Sequence, residues 1–261
     1  MKTSLMTYQE YAKIEHATPY VFTIKRPGHG LWYFGADHAY DPANPQFTAL
    51  RNLWNQFINE IGKASNQTVL LVEGGIPRNA TSEETAILED GEAGFAAFLA
   101  VAHSVAIESP EPPLSHEYQK LLSQFSKDEI HYYYFARVVT QWNSMSSRPD
   151  FSSYVTKYLE QDAREGHWSS TEYSLSTMYK IHKELFNKEF DLEDKDFFQH
   201  IVNPLEPVAV TNRIAQASGN IRDAFIVGEI QKHWNQGKNI FIVYGDSHAV
   251  RQEQFLKESL N

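Results

Sequence analysis

Cysteine is absent from this chain of 261 residues. Without cysteine the protein has no disulfide bonds, no thiolate nucleophile and no sulfur ligand for a metal ion. Any metal ion that it binds must therefore be held by nitrogen and oxygen atoms.

The sequence also lacks a run of about 18 apolar residues, the length that a membrane-spanning helix needs. Its first residues, MKTSLMTYQEYAKIEHATPY, do not show the basic and then apolar order of a signal peptide. We therefore expect a cytoplasmic protein that has no membrane partner.

Basic residues are fewer than acidic ones, with 23 Lys and Arg against 33 Asp and Glu and a formal net charge of -10. Proteins that bind nucleic acids concentrate Lys and Arg, because these side chains displace the counterions of the phosphates. The charge therefore argues against a nucleic-acid partner. An acidic balance is otherwise an ordinary solubility feature.

Short apolar runs, rich in branched and aromatic residues, alternate along the chain with stretches of helical periodicity. The apolar runs predict buried strands at residues 31–34, 68–72, 105–107 and 239–244. The periodic stretches predict helices at residues 49–61, 94–103 and 222–234. This alternation predicts an α/β fold with a mostly parallel sheet and helices on both faces.

The stretch between residues 112 and 193 has helical periodicity without a clear strand and is rich in aromatic residues, as in HYYYFARVVTQW. A single α/β domain commonly reaches about 250 residues. We predict one α/β domain over residues 1–261, in which residues 112–200 form a helical insertion or lid subdomain. The aromatic residues 132–142 would pack their helices and, in a lid, would wall the substrate site.

Polar residues follow each predicted strand. In open parallel sheets ligands bind outside the carboxyl ends of the strands, so these positions are candidate site residues. We expect four of them to line one cleft, namely His38, Glu73, Glu108 and His248. Asp37, Glu92, Glu108 and Asp246 are candidates for contacts with the substrate.

Two of the strand ends carry the same Gly-x-x-His spacing, at residues 35–38 and 245–248. Glycine at the end of a strand permits a positive φ or a close approach of the backbone. Chance easily supplies one such motif, but two that both end apolar strands are more specific. Imidazoles beside carboxylates suit either a general-base pair or a divalent metal such as manganese, zinc, cobalt or iron.

Glu73 directly follows an apolar strand, so we expect it to be partly buried, where an unpaired charge is costly. The Arg222-Asp223 pair opens the last predicted long helix, at residues 222–234. It is interpreted as a salt-bridged helix start, with Arg222 also a candidate for holding an anionic substrate group or transition state. Glu92 also has a structural interpretation, as an acidic residue that stabilises the N-terminus of a helix.

The two Gly-x-x-His motifs, the Val72-Glu73-Gly74 and Gly91-Glu92 segments and the Arg222-Asp223 pair together resemble one superfamily. It contains TraB/PrgY proteins, Tiki-type metalloproteases, ChaN-like proteins and erythromycin esterases. The resemblance covers about residues 31–111 and 222–255. It implies an α/β core with the site at the sheet edge, hydrolysis in several members and a divalent metal in the Tiki branch. It makes His38 and His248 metal ligands or bases, and Glu73 a ligand or base partner.

The sequence departs from the Gly-Glu-x-x-His pattern of erythromycin esterases, because Ala36 follows Gly35 and the acid is Asp37. We therefore favour metal-assisted hydrolysis of an ester or amide bond in a small molecule or peptide. Two alternatives stay open: a metal-free hydrolase like the erythromycin esterases, and a ChaN-like protein that binds haem or metal without turnover.

Two further likenesses are less complete. Residues 244–247, Tyr-Gly-Asp-Ser, resemble the nucleophile block of GDSL esterases, but only a short tail follows Ser247. Gly-Asp-x-His resembles a metallophosphatase block, but the Gly-Asn-His block of those enzymes is missing.

Overall fold

The computed structural model describes residues 4–62, 67–145, 147–169, 173–206 and 208–260. The chain divides into two units. One combines Met1–Glu111 with Asp223–Asn261 and contains the sheet, and the other is the helical segment Pro112–Arg222. The helical unit begins where the insertion was predicted and extends beyond residue 200, because the long helix α9 (Val210–Asn235) starts well before residue 222.

Five strands form the sheet among the described residues, in the order β1-β2-β5-β3-β4. Their bounds are β1 Tyr20–Arg26, β2 His29–Ala36, β3 Thr68–Val72, β4 Ala106–Glu108 and β5 Asn239–Gly245. Strands β2, β5, β3 and β4 are parallel neighbours, and β1 pairs antiparallel with β2. The predicted α/β class with a mostly parallel sheet is confirmed.

Strand β1 was not predicted. It lies at the sheet edge and buries only Phe22 and Ile24, so it shows an alternating pattern rather than an apolar run. A short turn at Pro27 and Gly28 joins it to β2, which is enough for an antiparallel pair. The period of two residues was the signal that the prediction overlooked.

Four helices of the sheet unit are α1 (Tyr8–Tyr11), α2 (Pro45–Ile61), α3 (Glu83–Ala102) and α10 (Asp246–Ser259). Helix α2 was predicted to begin at residue 49. It begins earlier, at Pro45, because the Asn44 side chain caps the helix there. Helix α3 also begins earlier than predicted and is kinked at Asp90 and Gly91.

Both faces of the sheet are covered. Helices α2 and α3 pack on one face through an apolar cluster that includes Leu50, Trp54, Phe57, Phe95, Phe34, Val72 and Val243. The last turns of α9 and helix α10 pack on the other through Ile226, Ile230, Leu256, Tyr33, Leu71, Ile242 and Tyr244. Burial on both sides explains why β3 and β5 are mainly apolar after their polar first residues, Thr68 and Asn239.

The helical unit contains α4 (Leu114–Leu121), α5 (Lys127–Ser144), α6 (Phe151–Gly166), α7 (Leu175–Phe186), α8 (Lys195–Val202) and the first part of α9. The aromatic residues of α5 fill the cores of this unit, where Tyr132 and Phe135 are fully buried. Helix packing therefore accounts for these residues, and a lid role for the unit stays a prediction.

No helix in the described part of the chain is long and apolar enough to cross a membrane.

Candidate functional site

The sheet register brings three of the predicted site residues to one edge. Ala36 lies opposite Gly245 and Val72 opposite Val243, so β2, β5 and β3 end almost level. The residues that follow these ends include His38, Glu73 and His248. Because parallel strands present their carboxyl ends at the same edge, residues far apart in sequence meet there.

His38 is held by a carboxylate. Its Nδ1 lies 2.6 Å from Oε1 of Glu92, a buried residue of α3. The kink at Gly91 brings α3 against the loop after His38, since a Cβ atom on Gly91 would lie 2.9 Å from the Ala39 carbonyl oxygen. Glu92 therefore orients the His38 ring, a role that the sequence interpretation had considered for Glu73.

The other ring nitrogen of His38, Nε2, makes no hydrogen bond within the described residues, and the side chain is 60% exposed. The hydrogen bond to Glu92 raises the pKa of His38 to about 8, against the opposing effect of burial and with a smaller contribution from Glu73. An accessible imidazole nitrogen of this basicity can accept a proton from water.

His248 is held in the same way by a different residue. Its Nδ1 lies 2.5 Å from Oδ1 of Asp223, which is fully buried in α9. Burial disfavours the charged ring, but the Asp223 carboxylate outweighs it, and with Glu73 it raises the pKa of His248 to about 9. His248 Nε2 lies 3.5 Å from Glu73 Oε1.

Asp223 is the centre of a buried polar network. Its Oδ1 also accepts a hydrogen bond from Gln252 Nε2 at 2.6 Å, and its Oδ2 lies 2.5 Å from Arg251 Nη1. Gln252 Oε1 in turn accepts a hydrogen bond from the Tyr33 hydroxyl at 3.1 Å. Burial raises the pKa of Asp223, but His248 and Arg251 outweigh it and hold that pKa below its usual value.

Sequence reasoning missed this role of Asp223 and treated it only as part of a helix start. A signal was present, because Asp223 precedes the core residues Ile226, Val227 and Ile230 by three, four and seven positions. An acid within the apolar stripe of a helix needs a buried partner. In α10 His248 is followed by Arg251 and Gln252 at the same spacing of three and four, so this helix supplies the partners.

Glu73 lies close to both imidazoles. Its Oε2 accepts a hydrogen bond from the Gly245 amide at 2.7 Å, while Oε1 faces His248. A Cβ atom on Gly245 would stand 3.2 Å from His38 Nε2 and 3.4 Å from Glu73 Oε2. The space between these side chains is therefore left open by the missing side chain of Gly245.

The two motif glycines act by close approach, since neither has a positive φ. At Gly35 a Cβ atom would lie 2.7 Å from the Ala249 Cβ, so this glycine lets the first turn of α10 pack on β2. Gly245 keeps the site open, as described above. Each motif thus combines a glycine that permits close packing with a histidine at the same edge.

The remaining candidates lie outside this cluster of contacts. Glu108 is the last residue of the short strand β4 and pairs with Leu71, so it still lies inside the sheet and not beyond the strand end. Its carboxylate lies 3.2 Å from His233 Nε2. Asp246 accepts a hydrogen bond from the Thr18 hydroxyl at 2.6 Å. The exposed Asp37 is bonded through its backbone to Gln46. Arg222 belongs to the helical unit, and its catalytic role stays a prediction.

The two histidines of the site share one feature with the histidines of metal centres. The Nδ1 atoms of both histidines bind carboxylates, an arrangement that also orients histidines in metal sites. Among the described residues, however, no three side chains of His, Asp or Glu form a group that could hold a metal ion.

No protein-family model matches this chain, and no curated protein or solved structure matches it either.

Proposed function

We propose that this protein hydrolyses an ester or amide bond of a small molecule or peptide at the site formed by His38, Glu73 and His248. One observation carries the proposal: two imidazoles, each held through Nδ1 by a carboxylate, both lie beside Glu73. Sets of this kind supply an oriented base and a source of positive charge in a single site. The resemblance to a superfamily with several hydrolases supports the same reaction class.

His38 is the base in this proposal. With Nδ1–H donated to Glu92, the accessible Nε2 accepts a proton from a water molecule. The water oxygen forms a bond to the carbonyl carbon, and the carbonyl oxygen takes the negative charge. When the carbon–oxygen or carbon–nitrogen bond breaks, its electron pair stays on the leaving atom, which receives the proton from His38.

The developing negative charge has stabilising groups nearby. Helix α10 begins at Asp246, directly after the end of β5, and its N-cap residue, Gly245, has no side chain that could cap the first turn. The amides at a helix N-terminus carry partial positive charge and favour an anion. His248 lies in the same first turns of α10 and adds its own positive charge.

A metal-assisted hydrolase is the second candidate. The observation in its favour is that carboxylates bind Nδ1 of both histidines, as they do for metal-bound histidines, and leave the Nε2 atoms for a metal. His38, His248 and Glu73 would then be the ligands of manganese, zinc or cobalt, and these side chains would have to move closer together, because they do not form a metal-binding group in the structure. Such an ion, when bound, lowers the pKa of a water molecule.

A panel of ester, amide, peptide and phosphate substrates tests the proposal, with the purified His38→Ala variant as the blank. We expect hydrolysis of a member of the ester, amide or peptide set that the variant does not show. Wild-type rates equal to those of the variant across the panel would overturn the proposal. Bound haem or metal without turnover would instead support the ChaN-like alternative.

A further inference from the structure

The helical unit contains a cavity that the proposed hydrolysis does not use. Its volume is about 590 Å³, and helices α5 and α6 supply most of the residues that line it. Sites for small molecules commonly measure about 300–1,000 Å³. All of the lining residues belong to the helical unit, and none is a candidate residue of the sheet edge. The cavity is therefore large enough for a separate ligand.

Charged side chains of both signs line this cavity. Arg137 of α5 is the basic one, and the acidic ones are Glu117 of α4 with Asp162 and Glu165 of α6. Arg137 lies near enough to Asp162 to lower the pKa of that carboxyl group. Within the described residues, however, Arg137 makes no hydrogen bond or ion pair with a carboxylate. Opposite charges thus line one cavity without pairing with each other.

We propose that this cavity binds an amino acid with a basic side chain, whose carboxylate contacts Arg137 and whose cationic groups contact Glu117 and Asp162. The proposal does not depend on the hydrolytic function, because the cavity and the sheet-edge site have no residue in common.

Arg137 suits a ligand carboxylate. Its side chain is exposed, and its guanidinium lies 5.8 Å from the centre of the Tyr133 ring on the same helix. A guanidinium group presents N–H donors in a planar fork that matches the two oxygens of a carboxylate. Since no carboxylate of the described residues occupies this fork, a ligand can supply one.

Glu117 suits a ligand cation. It is only 5% exposed, although it lines the cavity. Its Oε1 accepts hydrogen bonds from the hydroxyl groups of Tyr134 at 3.0 Å and Ser218 at 2.6 Å, while its Oε2 accepts none from the described residues. A buried carboxylate oxygen without a donor is costly. An ammonium group in the cavity supplies three N–H donors.

Asp162 lacks a compensating cation. Burial and then the charge of Glu165 raise the pKa of Asp162 to about 6, although Arg137 opposes them. Glu117 raises it further, so Asp162 and Glu117 lie near each other. A cationic group bound beside these two carboxylates removes part of this unfavourable interaction.

The balance of charge favours a ligand with more than one cationic group. Three acidic side chains line the cavity, and they outnumber the basic ones by three to two even when Arg222, which lies near Arg137, is counted. The described acids do not form a group that could hold a metal ion, so the fitting cation is an organic one. Lysine and arginine carry two cationic groups and one carboxylate.

The rest of the wall is mixed in polarity. Along α5, Thr140, Gln141 and Ser144 supply hydroxyl and amide groups. Apolar surface comes from Leu114, Val138 and Val202. A ligand with an aliphatic chain between charged ends matches this combination, because its chain can contact apolar side chains while its ends remain paired.

Isothermal titration calorimetry of the full chain with L-lysine and L-arginine tests the proposal without any substrate of the sheet-edge site. We expect saturable binding of at least one of them with a Kd below about 1 mM. Cadaverine lacks the carboxylate of lysine, and hexanoate lacks both of its ammonium groups. Each should bind about tenfold more weakly or worse, because one set of charged side chains stays unpaired.

Two variants connect the binding to the cavity. Arg137→Gln and Asp162→Asn should each raise the Kd about tenfold or more. Asp162→Asn should do so without lowering the Tm, because it removes a carboxylate that no cation of the described residues pairs with. The matched controls are Arg164→Gln and Glu160→Gln, exposed residues of α6 that do not line the cavity. Both should bind like the wild type, and so should His38→Ala.

Absence of saturable binding of both amino acids up to about 10 mM would overturn the proposal. Equal affinity for lysine and cadaverine would also overturn it, and so would an unchanged Kd in folded Arg137→Gln or Asp162→Asn. The comparison of lysine with cadaverine and hexanoate uses the wild type alone, so it decides the matter even if a variant does not fold. Loss of binding in His38→Ala would place the ligand at the sheet edge instead and contradict the cavity site.

Discussion

The Gly245 amide donates a hydrogen bond to Glu73 Oε2 over 2.7 Å and so joins the ends of two neighbouring parallel strands, β5 and β3. This bond fixes one carboxylate oxygen and leaves the other facing His248. It also places the backbone of Gly245 beside His38 Nε2, where a side chain would fill the space that the proposed mechanism assigns to a water molecule.

Replacement of Gly245 by alanine should therefore reduce turnover without unfolding the protein. The backbone at Gly245 has φ -53° and ψ 146°, which alanine adopts readily, but the added methyl group would lie 3.2 Å from His38 Nε2. We expect turnover to fall about tenfold or more and the free energy of unfolding to change by less than about 1 kcal/mol. Steady-state kinetics and urea unfolding measure the two effects.

Gly228→Ala is the matched control, because Gly228 lies in α9 and a Cβ atom there would meet no described atom within 4 Å apart from its chain neighbours and the backbone of its own helix. Alanine is favoured over glycine inside a helix by about 1 kcal/mol, so this variant should be active and at least as stable as the wild type. Equal activity of the two alanine variants would contradict the proposal that the reacting water molecule lies beside His38 Nε2, next to Gly245.

The pH dependence of kcat/KM should report the His38–Glu92 pair. A protonated His38 cannot accept a proton, so activity should rise with pH around a midpoint of about 8, the raised pKa of His38. Without the carboxylate, Glu92→Gln should shift the midpoint towards 6.5, the ordinary value for histidine. The plateau should also fall, because the ring is less well oriented. His38→Ala should lose about 100-fold or more at every pH.

A second His–Glu pair offers a control for these variants. His200 Nδ1 lies 2.7 Å from Glu206 Oε1 at the end of α8, on an exposed part of the helical unit. Glu206→Gln should leave both the midpoint and the plateau of the activity profile unchanged. A wild-type profile that is flat between about pH 6 and pH 9 would show that His38 is not the base.

Removal of metal ions separates the two proposed mechanisms. In the metal-free mechanism, protein treated with a chelator and shown to be free of metal by elemental analysis keeps its full turnover. We expect this outcome, because Glu92 orients the His38 ring and the side chain is accessible, so that it can act as a base without a metal ion. Joint loss of bound metal and turnover in His38→Ala and in His248→Ala, reproduced by the chelator, would support the metal-assisted mechanism instead.

Stability should fall as pH rises through neutral and alkaline values. The pKa of His248 is about 9 in the folded protein and about 6.5 in the unfolded chain, so folding takes up a proton between these values. The contribution of this ion pair is complete below about pH 6.5 and is lost as pH rises through about 9. The slope is at most about 1.4 kcal/mol per pH unit for one group.

Urea unfolding at several pH values measures this slope, and His248→Gln should reduce it. The exposed His38 has a raised pKa as well and adds a smaller contribution up to about pH 8, which persists in that variant. A free energy of unfolding that increases with pH over the same interval would contradict the cationic state of His248.

Local pattern was enough to predict the parallel core. Residues 69–72 and 240–244 are apolar without interruption because both of their faces are buried, and the two strands match the predicted bounds 68–72 and 239–244 within one residue. The rule that parallel strands share a carboxyl edge then led to His38, Glu73 and His248 together. The edge strand β1 was not predicted, because one of its faces is exposed and its sequence therefore alternates instead of forming a continuous apolar run.

The sequence by itself determined the class of fold and the three side chains at the sheet edge, because strand burial and strand-end position are encoded in neighbouring residues. Only the tertiary structure decided which carboxylate serves each histidine. Glu92 reaches His38 across 54 positions through a kinked helix, and Asp223 reaches His248 across 25 positions through packing of α9 against α10. These pairings depend on side-chain packing between elements distant in sequence, and no local spacing specifies that packing.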